Sequence, residues 1–294
     1  MADRRRPGAL TGGMPVGALM GVLPFFAYTT IFLLIPTLVV AIGAFLGANN
    51  TFTTSNVRAL SQPAIVSSLE HSVILSAVTS VVGAVVGGLL AYAVTTAREG
   101  GTLRRLVTSL CGVLAQFGGV TLAFAFIATV GLQGFLTLQL QKIGINLGNS
   151  TWLFEWNKGL MLVYTYFQIP LMLIVFLPAV EGLRPQWREA AETLGGGTWD
   201  YWRRVAGPIL APSFIGATLL LFTNAFSAYA TAAALVSQGS PILPLNIAGT
   251  FSSEVILGQE NIGKAMALAM VAVVAVVMTL YALLERRTSK WLGR

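Results

Sequence analysis

Residues 188–212 read REAAETLGGGTWDYWRRVAGPILAP, the longest polar passage between two strongly apolar segments of the chain. Residues 189–194 are good helix formers, and we expect Glu189 in the first turn, where a carboxylate suits the helix dipole. The three glycines at 195–197 then end this helix, because glycine turns the chain without a steric cost.

A second short helix is predicted to follow the glycines. Thr198 is a suitable N-cap residue, and residues 199–205 can continue from it as a helix. Pro208 and Pro212 then mark the passage back into apolar sequence, since proline interrupts a regular helix. Two helices joined by a glycine turn are expected to form a loop that protrudes from the membrane. Such a loop requires a complementary cleft on a partner.

The composition places the rest of the chain in a membrane. Of the 294 residues, 55% are hydrophobic and only 10% are charged, whereas about a quarter are charged in soluble domains. Apolar runs near the ~20 residues needed to cross a bilayer recur along the sequence. We predict an all-α polytopic protein with a tail at 1–21, a transmembrane domain at 22–284 that includes a central loop at 179–212, and a second tail at 285–294. The six predicted spans are 22–46, 73–94, 106–132, 159–178, 213–236 and 263–284.

The distribution of basic residues predicts the orientation of these spans. The two tails, the 97–105 loop and the central loop together hold fourteen of the eighteen lysines and arginines. By the positive-inside rule, these four segments and both termini are cytoplasmic. The net charge of +7 is then explained by orientation, so no nucleic-acid partner is expected. A cleaved signal peptide is the alternative for the first span, but its apolar run is longer than the ~7–15 residues of such a segment.

The polar loop resembles the EAA loop of binding-protein-dependent ABC importer permeases. The resemblance rests on the pattern E-A-A, three residues, G, nine residues, V, one residue, G-P, in which valine replaces the usual isoleucine and Gly207 the usual leucine. In that family the loop forms a cytoplasmic coupling helix that docks into a cleft on a separate ATPase subunit. The resemblance implies that Trp199 fills an apolar pocket of that cleft. The residues carried over as ATPase-coupling are Glu189, Ala190, Ala191, Gly195, Trp199, Val205 and Pro208.

The resemblance extends over six spans and implies the type I ABC importer permease fold. It also implies an ABC ATPase dimer, a second permease subunit (a sister chain or a second copy) and an extracytoplasmic substrate-binding protein as partners, in the cytoplasmic membrane of a bacterium. The chain has no phosphate-loop motif, so ATP and Mg²⁺ are expected on the ATPase, and no cofactor is expected on this chain. The sequence after the motif most resembles the spermidine/putrescine-type branch, and the expected substrate is polyamine-like.

Several polar residues fall inside the predicted spans. Polar groups within hydrocarbon must face protein or water, so they should point into the bundle. They could line a substrate path near the midplane, or they could form hydrogen bonds between helices, as is common in membrane bundles. The path candidates are Tyr164, Gln168, Asn224, Ser227 and Tyr229, with Gln116 and Thr231 as further polar positions.

Two other classes of function are weighed against the importer. An ATP-independent secondary transporter or channel is disfavoured because ion-coupled carriers usually need an intramembrane acid or base, and none lies in mid-span. An intramembrane enzyme is disfavoured because His71 is the only histidine and no nucleophile-elbow motif is present. We expect His71 to have a partner at the membrane interface, and Cys111 to be a small buried hydrophobe.

Overall fold

The computed structural model describes residues 16–47, 50–97, 101–144, 152–236, 242–252 and 260–291. Within these ranges the chain is helical apart from turns and one isolated antiparallel bridge between Leu46 and Phe52. Six helical segments are long and apolar enough to cross a membrane, as the sequence predicts. These segments are Gly21–Gly43, Pro63–Thr96, Gly119–Lys142, Trp156–Glu181, Thr198–Ser227 and Glu260–Leu283.

Fourteen α-helices make up the described part of the chain. In chain order they are α1 (Val16–Thr29), α2 (Ile35–Gly43), α3 (Ser55–Ala59), α4 (Pro63–Thr96), α5 (Thr102–Gln116), α6 (Gly119–Val130), α7 (Phe135–Lys142), α8 (Met161–Glu181), α9 (Pro185–Thr193), α10 (Thr198–Tyr201), α11 (Gly207–Ser227), α12 (Ala230–Leu235), α13 (Leu243–Ser252) and α14 (Glu260–Trp291). A 3₁₀ turn covers Trp152–Phe154, and π-helical turns cover Thr30–Leu34, Trp156–Leu160 and Trp202–Ala206.

Helices α4 and α8 form the centre of the bundle, and glycine allows their close approach. A Cβ atom at Gly83 would lie 2.5 Å from the Cβ of Gln168, and one at Gly87 would lie 2.6 Å from the backbone oxygen of Ile169. Two glycines four residues apart therefore let the backbones pack directly, which is a common way to join helices in a membrane.

Interactions at the two ends of the bundle show which loops lie together. At one end, Arg104 of α5 forms an ion pair with Glu181 of α8, which brings the loop before α5 next to the central loop. At the other end, the Ser72 hydroxyl of α4 accepts a hydrogen bond of 2.8 Å from the Leu243 N–H at the start of α13. Connecting segments therefore alternate between the ends, as the predicted topology requires.

The third and fifth predicted spans differ from the structure because each is broken. The stretch predicted at 106–132 divides into α5 and α6, separated at 117–118, and the apolar segment of membrane-spanning length is Gly119–Lys142. The stretch predicted at 213–236 divides into α11 and α12, separated at 228–229. Hydropathy does not register these breaks, because it is averaged over a window in which the few polar residues beside them, such as Gln116 and Ser227, are outweighed by apolar neighbours.

The other spans are shifted at their ends. The first helical segment begins at Val16 and ends at Gly43 rather than covering 22–46, and α4 begins ten residues before the predicted start at 73. The fourth predicted span, 159–178, corresponds to the segment Trp156–Glu181, and α14 extends the sixth from 263–284 to Glu260–Trp291. Polar serine, glutamate and lysine continue a helix readily, so helices run past the apolar window that defines a span.

The first span contacts the rest of the described bundle mainly through α2, which packs against α14 near Gly43. None of the 18-residue apolar window within Gly21–Gly43 is buried, whereas half of that within Trp156–Glu181 is. Phe25, Phe32 and Leu38 are among its exposed side chains. Lipid or another protein must therefore cover this helix on all sides along most of its length.

Candidate functional site

Helix α9 carries the first half of the polar loop. It runs over Pro185–Thr193 rather than the predicted 189–194, and Pro185 occupies a position in its first turn, where a missing N–H is tolerated. Glu189 is consequently in the second turn, so the predicted interaction of its carboxylate with the helix N-terminus is wrong. The side chain is exposed, and within the described part of the chain its carboxylate forms no ion pair.

The glycine turn after α9 is confirmed. Gly195 has φ of +79°, the left-handed conformation that glycine adopts without strain. Its N–H donates to the Glu192 carbonyl at 3.0 Å, and the Gly196 N–H donates to the Ala191 carbonyl at 2.9 Å. These bonds satisfy the last carbonyls of the helix and fix the direction in which the chain leaves it.

Two large apolar side chains project from the tip of the loop. Leu194 is 88% exposed and Trp199 is 74% exposed, on either side of the glycine turn. Trp199 is one of the predicted coupling residues, whereas the sequence analysis treats Leu194 only as part of a helix. An apolar residue directly before three glycines in a polar loop is the signal that could have identified it. Together they form an apolar tip that nothing in the described part of the chain buries.

The second half of the loop begins one residue earlier than predicted and does not end where predicted. Gly197, not Thr198, is the N-cap residue of α10, and its N–H donates to the Asp200 carboxylate at 3.4 Å. The helix then continues past Pro208 and Pro212 into α11 instead of ending near 205. The prolines are accommodated because Pro208 lies in the first turn of α11, directly after the π-helical turn Trp202–Ala206.

Gly207 is explained by this π-helical turn. Its N–H donates to the Trp202 carbonyl five residues earlier, as a π turn requires. A Cβ atom at position 207 would lie 2.5 Å from that same carbonyl oxygen, so a larger residue could not adopt this backbone. The departure from the usual leucine of the EAA pattern therefore reflects backbone geometry at this position.

The small residues of the E-A-A pattern border a groove. A cavity of about 420 Å³ lies between α9 and the segment formed by α10 and the π turn. Ala190, Ala191 and Val205 line it, together with Leu194 of the apolar tip. Because alanine leaves more room than any larger residue at 190 and 191, the pattern creates a shallow recess on the outer surface of the loop. Pro208 is exposed beyond it, on α11.

Two of the five path candidates form hydrogen bonds between helices. The Tyr164 hydroxyl donates to the Ala228 carbonyl at 2.5 Å, and the Gln168 amide donates to the Leu221 carbonyl at 2.8 Å. Both side chains are fully buried between α8 and α11. These are the interhelical hydrogen bonds that the second interpretation of the polar residues predicts.

The other three candidates lie on an exposed surface near the break between α11 and α12. Asn224, Ser227 and Tyr229 are exposed, and the Ser227 hydroxyl donates to the Thr223 and Asn224 carbonyls of its own helix. The break after α5 is close by, because a Cβ atom at Gly119 would lie 3.7 Å from Ala230. Two interrupted helices thus meet beside a polar, accessible surface, an arrangement found at transporter binding sites. Gln116 is exposed at the end of α5, whereas Thr231 is buried.

The remaining reactive side chains form no catalytic or metal site in the described ranges. His71 stacks on Trp156 with ring centroids 4.0 Å apart, which confirms the expected interfacial partner. Cys111 is buried and unpaired, as predicted for a small hydrophobe. No group of three or more histidine, cysteine, aspartate or glutamate residues could hold a metal ion among the residues described.

Comparisons with known proteins agree on one kind of membrane component. The family described as "Binding-protein-dependent transport system inner membrane component" matches residues 83–290. The chain is 29% identical over 172 residues to the sulfate transport system permease protein CysT of Escherichia coli (strain K12), a match that covers 58% of each chain. It is 28% identical over 167 residues to the thiamine transport system permease protein ThiP of the same organism, covering 55% of this chain and 28% of ThiP.

The fold is also found among solved structures. A chain of a bacterial ABC transporter involved in the import of the acidic polysaccharide alginate superimposes with a TM-score of 0.72, at 16% sequence identity. The superposition covers 92% of the present chain and 96% of that chain. Among the two curated relatives, by contrast, the matched region spans less than two thirds of their length.

Proposed function

The chain belongs to the family of binding-protein-dependent transport system inner membrane components, and from this premise we propose that it is the permease subunit of an ATP-driven importer. Its fold is that of an ABC importer permease, as the resemblance implies. In the proposal, two permease subunits form the translocation pathway for a small solute, and a binding protein delivers the solute from outside. ATP hydrolysis takes place on a separate ATPase dimer, so this chain is not itself an enzyme.

The observation that carries the proposal is the apolar tip of the polar loop. Leu194 and Trp199 are almost fully exposed at the end of the bundle, where nothing in the described chain covers them. Glu189 lies on the same loop with a carboxylate free of ion pairs in the described ranges. An apolar anchor beside an unpaired charge is typical of a surface that docks into a protein cleft.

The mechanism follows from the continuity between the loop and the bundle. The segment Thr198–Ser227 is helical throughout, so movement of the docked loop is transmitted to α11 without a flexible joint. The last turn of α11 carries the exposed residues Asn224 and Ser227, and exposed Tyr229 follows it. We propose that these three residues line the substrate path. Closure of the ATPase dimer would thus move one wall of the path. In this proposal, that movement opens the path to the outside.

The exposed surface of the first span supports the proposal of a second permease subunit. A helix with none of its apolar window buried needs a cover, and a second permease provides one in addition to lipid. In the proposed orientation both termini and the polar loop are cytoplasmic, in the cytoplasmic membrane of a bacterium. The substrate is proposed to be a small solute of the size that binding proteins deliver. The polyamine-like substrate expected from the sequence remains a prediction.

Co-purification tests the proposal. The tagged chain is isolated in mild detergent from its native cells, and the eluate is assayed for an accompanying ATPase and for ATP hydrolysis. We expect the ATPase to accompany the native chain, and to be released by Glu189→Arg and by the double variant Leu194→Ser, Trp199→Ser. Phe52→Ser is the matched control, because Phe52 is a large apolar residue that is 77% exposed outside the polar loop.

The alternative function makes the opposite prediction. If the chain is an ATP-independent secondary transporter or channel, it purifies without an ATPase and supports transport in proteoliposomes that contain no ATP. Release of the ATPase by the Phe52→Ser control as well would show that the loss is unspecific. Either result would contradict the role proposed for the loop.

A further inference from the structure

Two cavities meet on the outer surface of the bundle, between α4, α8 and α11. The first, of about 790 Å³, is lined by Arg104, Arg184 and Arg188 together with Glu181. The second, of about 480 Å³, has an almost entirely apolar lining that includes Leu89, Leu210, Ala211, Phe214 and Ile215. Tyr92, Val180 and Trp202 line both cavities, so the two spaces are adjacent.

The first cavity carries a positive charge. Three guanidinium groups face one carboxylate there, and that carboxylate is already paired with Arg104. Arg188 pairs with Glu192 on its own helix, while Arg184 forms no ion pair with any residue of the described ranges. Guanidinium groups bind phosphate through paired, charge-assisted hydrogen bonds. The chemistry of this cavity therefore suits a phosphate-bearing group.

The position of the junction matches the surface of a bilayer. The polar cavity is lined by Thr95 and Thr96 at the end of α4 and by Glu181 at the end of α8. The Tyr92 and Trp202 rings meet edge to face at the junction, with centroids 5.0 Å apart. Tyrosine and tryptophan concentrate at the depth of lipid headgroups, with hydrocarbon on one side and water on the other.

The apolar cavity extends from this junction toward the middle of the membrane. Its lining on α11 runs from Gly207 to Ile215, a length of about 12 Å along a helix axis. Gly88 and Gly207 also line this cavity. Leu89 and Ile215 are themselves exposed, so the cavity is accessible from the lipid-facing side.

We propose that this pair of cavities is a binding site for an anionic phospholipid. The phosphate lies among Arg104, Arg184 and Arg188, and one acyl chain lies in the apolar cavity. A free anion would use only the first cavity, and an uncharged lipid only the second. Because the two spaces adjoin at Tyr92, Val180 and Trp202, a molecule that carries both groups fits them best. Arg184, Arg188 and Trp202 belong to the central loop, but the inference does not require that loop to dock on an ATPase, so its test is distinct from that of the coupling function proposed above.

Native mass spectrometry of the full-length chain, with the subunits that accompany it in mild detergent, tests the site. We expect phosphatidylglycerol to remain bound where phosphatidylcholine dissociates. The double variant Arg184→Gln, Arg188→Gln should weaken phosphatidylglycerol binding by about tenfold or more, because each arginine near a membrane surface adds to the attraction for anionic lipid. Arg203→Gln is the matched control, since Arg203 is exposed and does not line the cavity.

A second pair of variants tests the acyl-chain part. Ala211→Phe fills the apolar cavity and should reduce phosphatidylglycerol binding, whereas Ala272→Phe adds the same bulk to an exposed position of α14 and should not. Thermal unfolding midpoints of the variants, measured in parallel, must stay close to that of the native chain. Retained phosphatidylglycerol in both Ala211→Phe and the arginine variant would overturn the proposal.

Inorganic phosphate separates a lipid from a soluble anion. If millimolar phosphate displaces phosphatidylglycerol as well as an added lipid does, the first cavity is a site for free anions and the lipid proposal is wrong. Equal binding of phosphatidylcholine and phosphatidylglycerol would likewise overturn it. If no lipid is retained in the complex but lipid is retained by the isolated chain, a partner protein covers the surface, and the site is not occupied by lipid in the assembled protein.

Discussion

The Tyr164 hydroxyl donates a 2.5 Å hydrogen bond to the Ala228 carbonyl, at the point where α11 ends and the chain turns into α12. Backbone groups freed at a helix break inside a membrane need partners, since lipid offers none. A tyrosine that is fully buried on α8 supplies one here. The break between α11 and α12 is therefore stabilised by a hydrogen bond from the neighbouring helix α8.

Tyr164→Phe should destabilise the bundle, because it leaves the Ala228 carbonyl without this donor. We expect a loss of about 1 kcal/mol in the free energy of unfolding, the usual size for a hydrogen bond between membrane helices. Unfolding in mixed detergent micelles would measure it. Tyr229→Phe provides the control, because the Tyr229 side chain is exposed and its hydroxyl can be hydrated in either state. Equal stability of the native chain and Tyr164→Phe would show that the carbonyl finds another partner.

Gly83→Ala should destabilise the contact between α4 and α8. The added Cβ would lie 2.5 Å from the Cβ of Gln168, and overpacking of this kind costs about 1–3 kcal/mol. Gly112→Ala is matched to it, since Gly112 also lies in a helix but has no atom within 4 Å of the added Cβ. Alanine favours a helix over glycine by up to about 1 kcal/mol, so the control should be neutral or stabilising. Thermal unfolding of the two purified variants compares them, and similar midpoints would contradict the close packing.

Gly195 should tolerate asparagine better than valine. Its φ of +79° is accessible to asparagine, whereas a β-branched residue is strained there by about 1–2 kcal/mol. We therefore expect Gly195→Val to reduce the amount of ATPase that accompanies the chain, and Gly195→Asn to retain most of it. Gly197→Val is the control, because Gly197 has a negative φ and open space around an added Cβ. Equal retention by both valine variants would mean that the turn conformation does not matter for docking.

Asn224→Leu and Gln168→Leu should affect different properties: the first should lower transport and the second should lower stability. Asn224 is exposed near the helix break, so its replacement should lower solute uptake and leave the unfolding midpoint unchanged. Gln168 is buried and bonded to the Leu221 carbonyl, so its replacement should lower the midpoint by removing that donor. Uptake in proteoliposomes and thermal unfolding are the two measurements. Normal uptake by Asn224→Leu would remove this residue from the proposed path.

Much of this fold follows from sequence patterns that act locally. Six apolar segments, the alternation of the loops and the left-handed glycine turn at Gly195 are all predicted, because each depends on composition or on residues next to one another. The two short helices joined by the glycine turn predict a protruding loop for the same reason. The exposed tip formed by Leu194 and Trp199 is only half predicted, since exposure depends on what else packs nearby.

The features that sequence patterns miss depend on contacts between distant segments. The breaks at 117–118 and 228–229 lie in stretches that are apolar on average, and the latter is held by Tyr164, more than sixty residues away along the chain. The helix through Pro208 continues because of a π-helical turn, which the proline signal alone cannot indicate. In the sequence, Gln168 is simply a polar residue inside an apolar span, as a residue lining a solute path would also be. Only its buried hydrogen bond to the Leu221 carbonyl shows that it joins two helices.

The π-helical turn Trp202–Ala206 also determines the direction in which the loop points. Each residue advances an α-helix by about 100° around its axis. A chain one residue shorter in this turn could keep both flanking helices, but the apolar tip would face about a quarter of a circle away from its present direction. The number of residues between Tyr201 and Gly207 thus sets the orientation of the loop about the axis of α11. Insertions or deletions there would turn an otherwise intact loop away from the cleft of a binding partner.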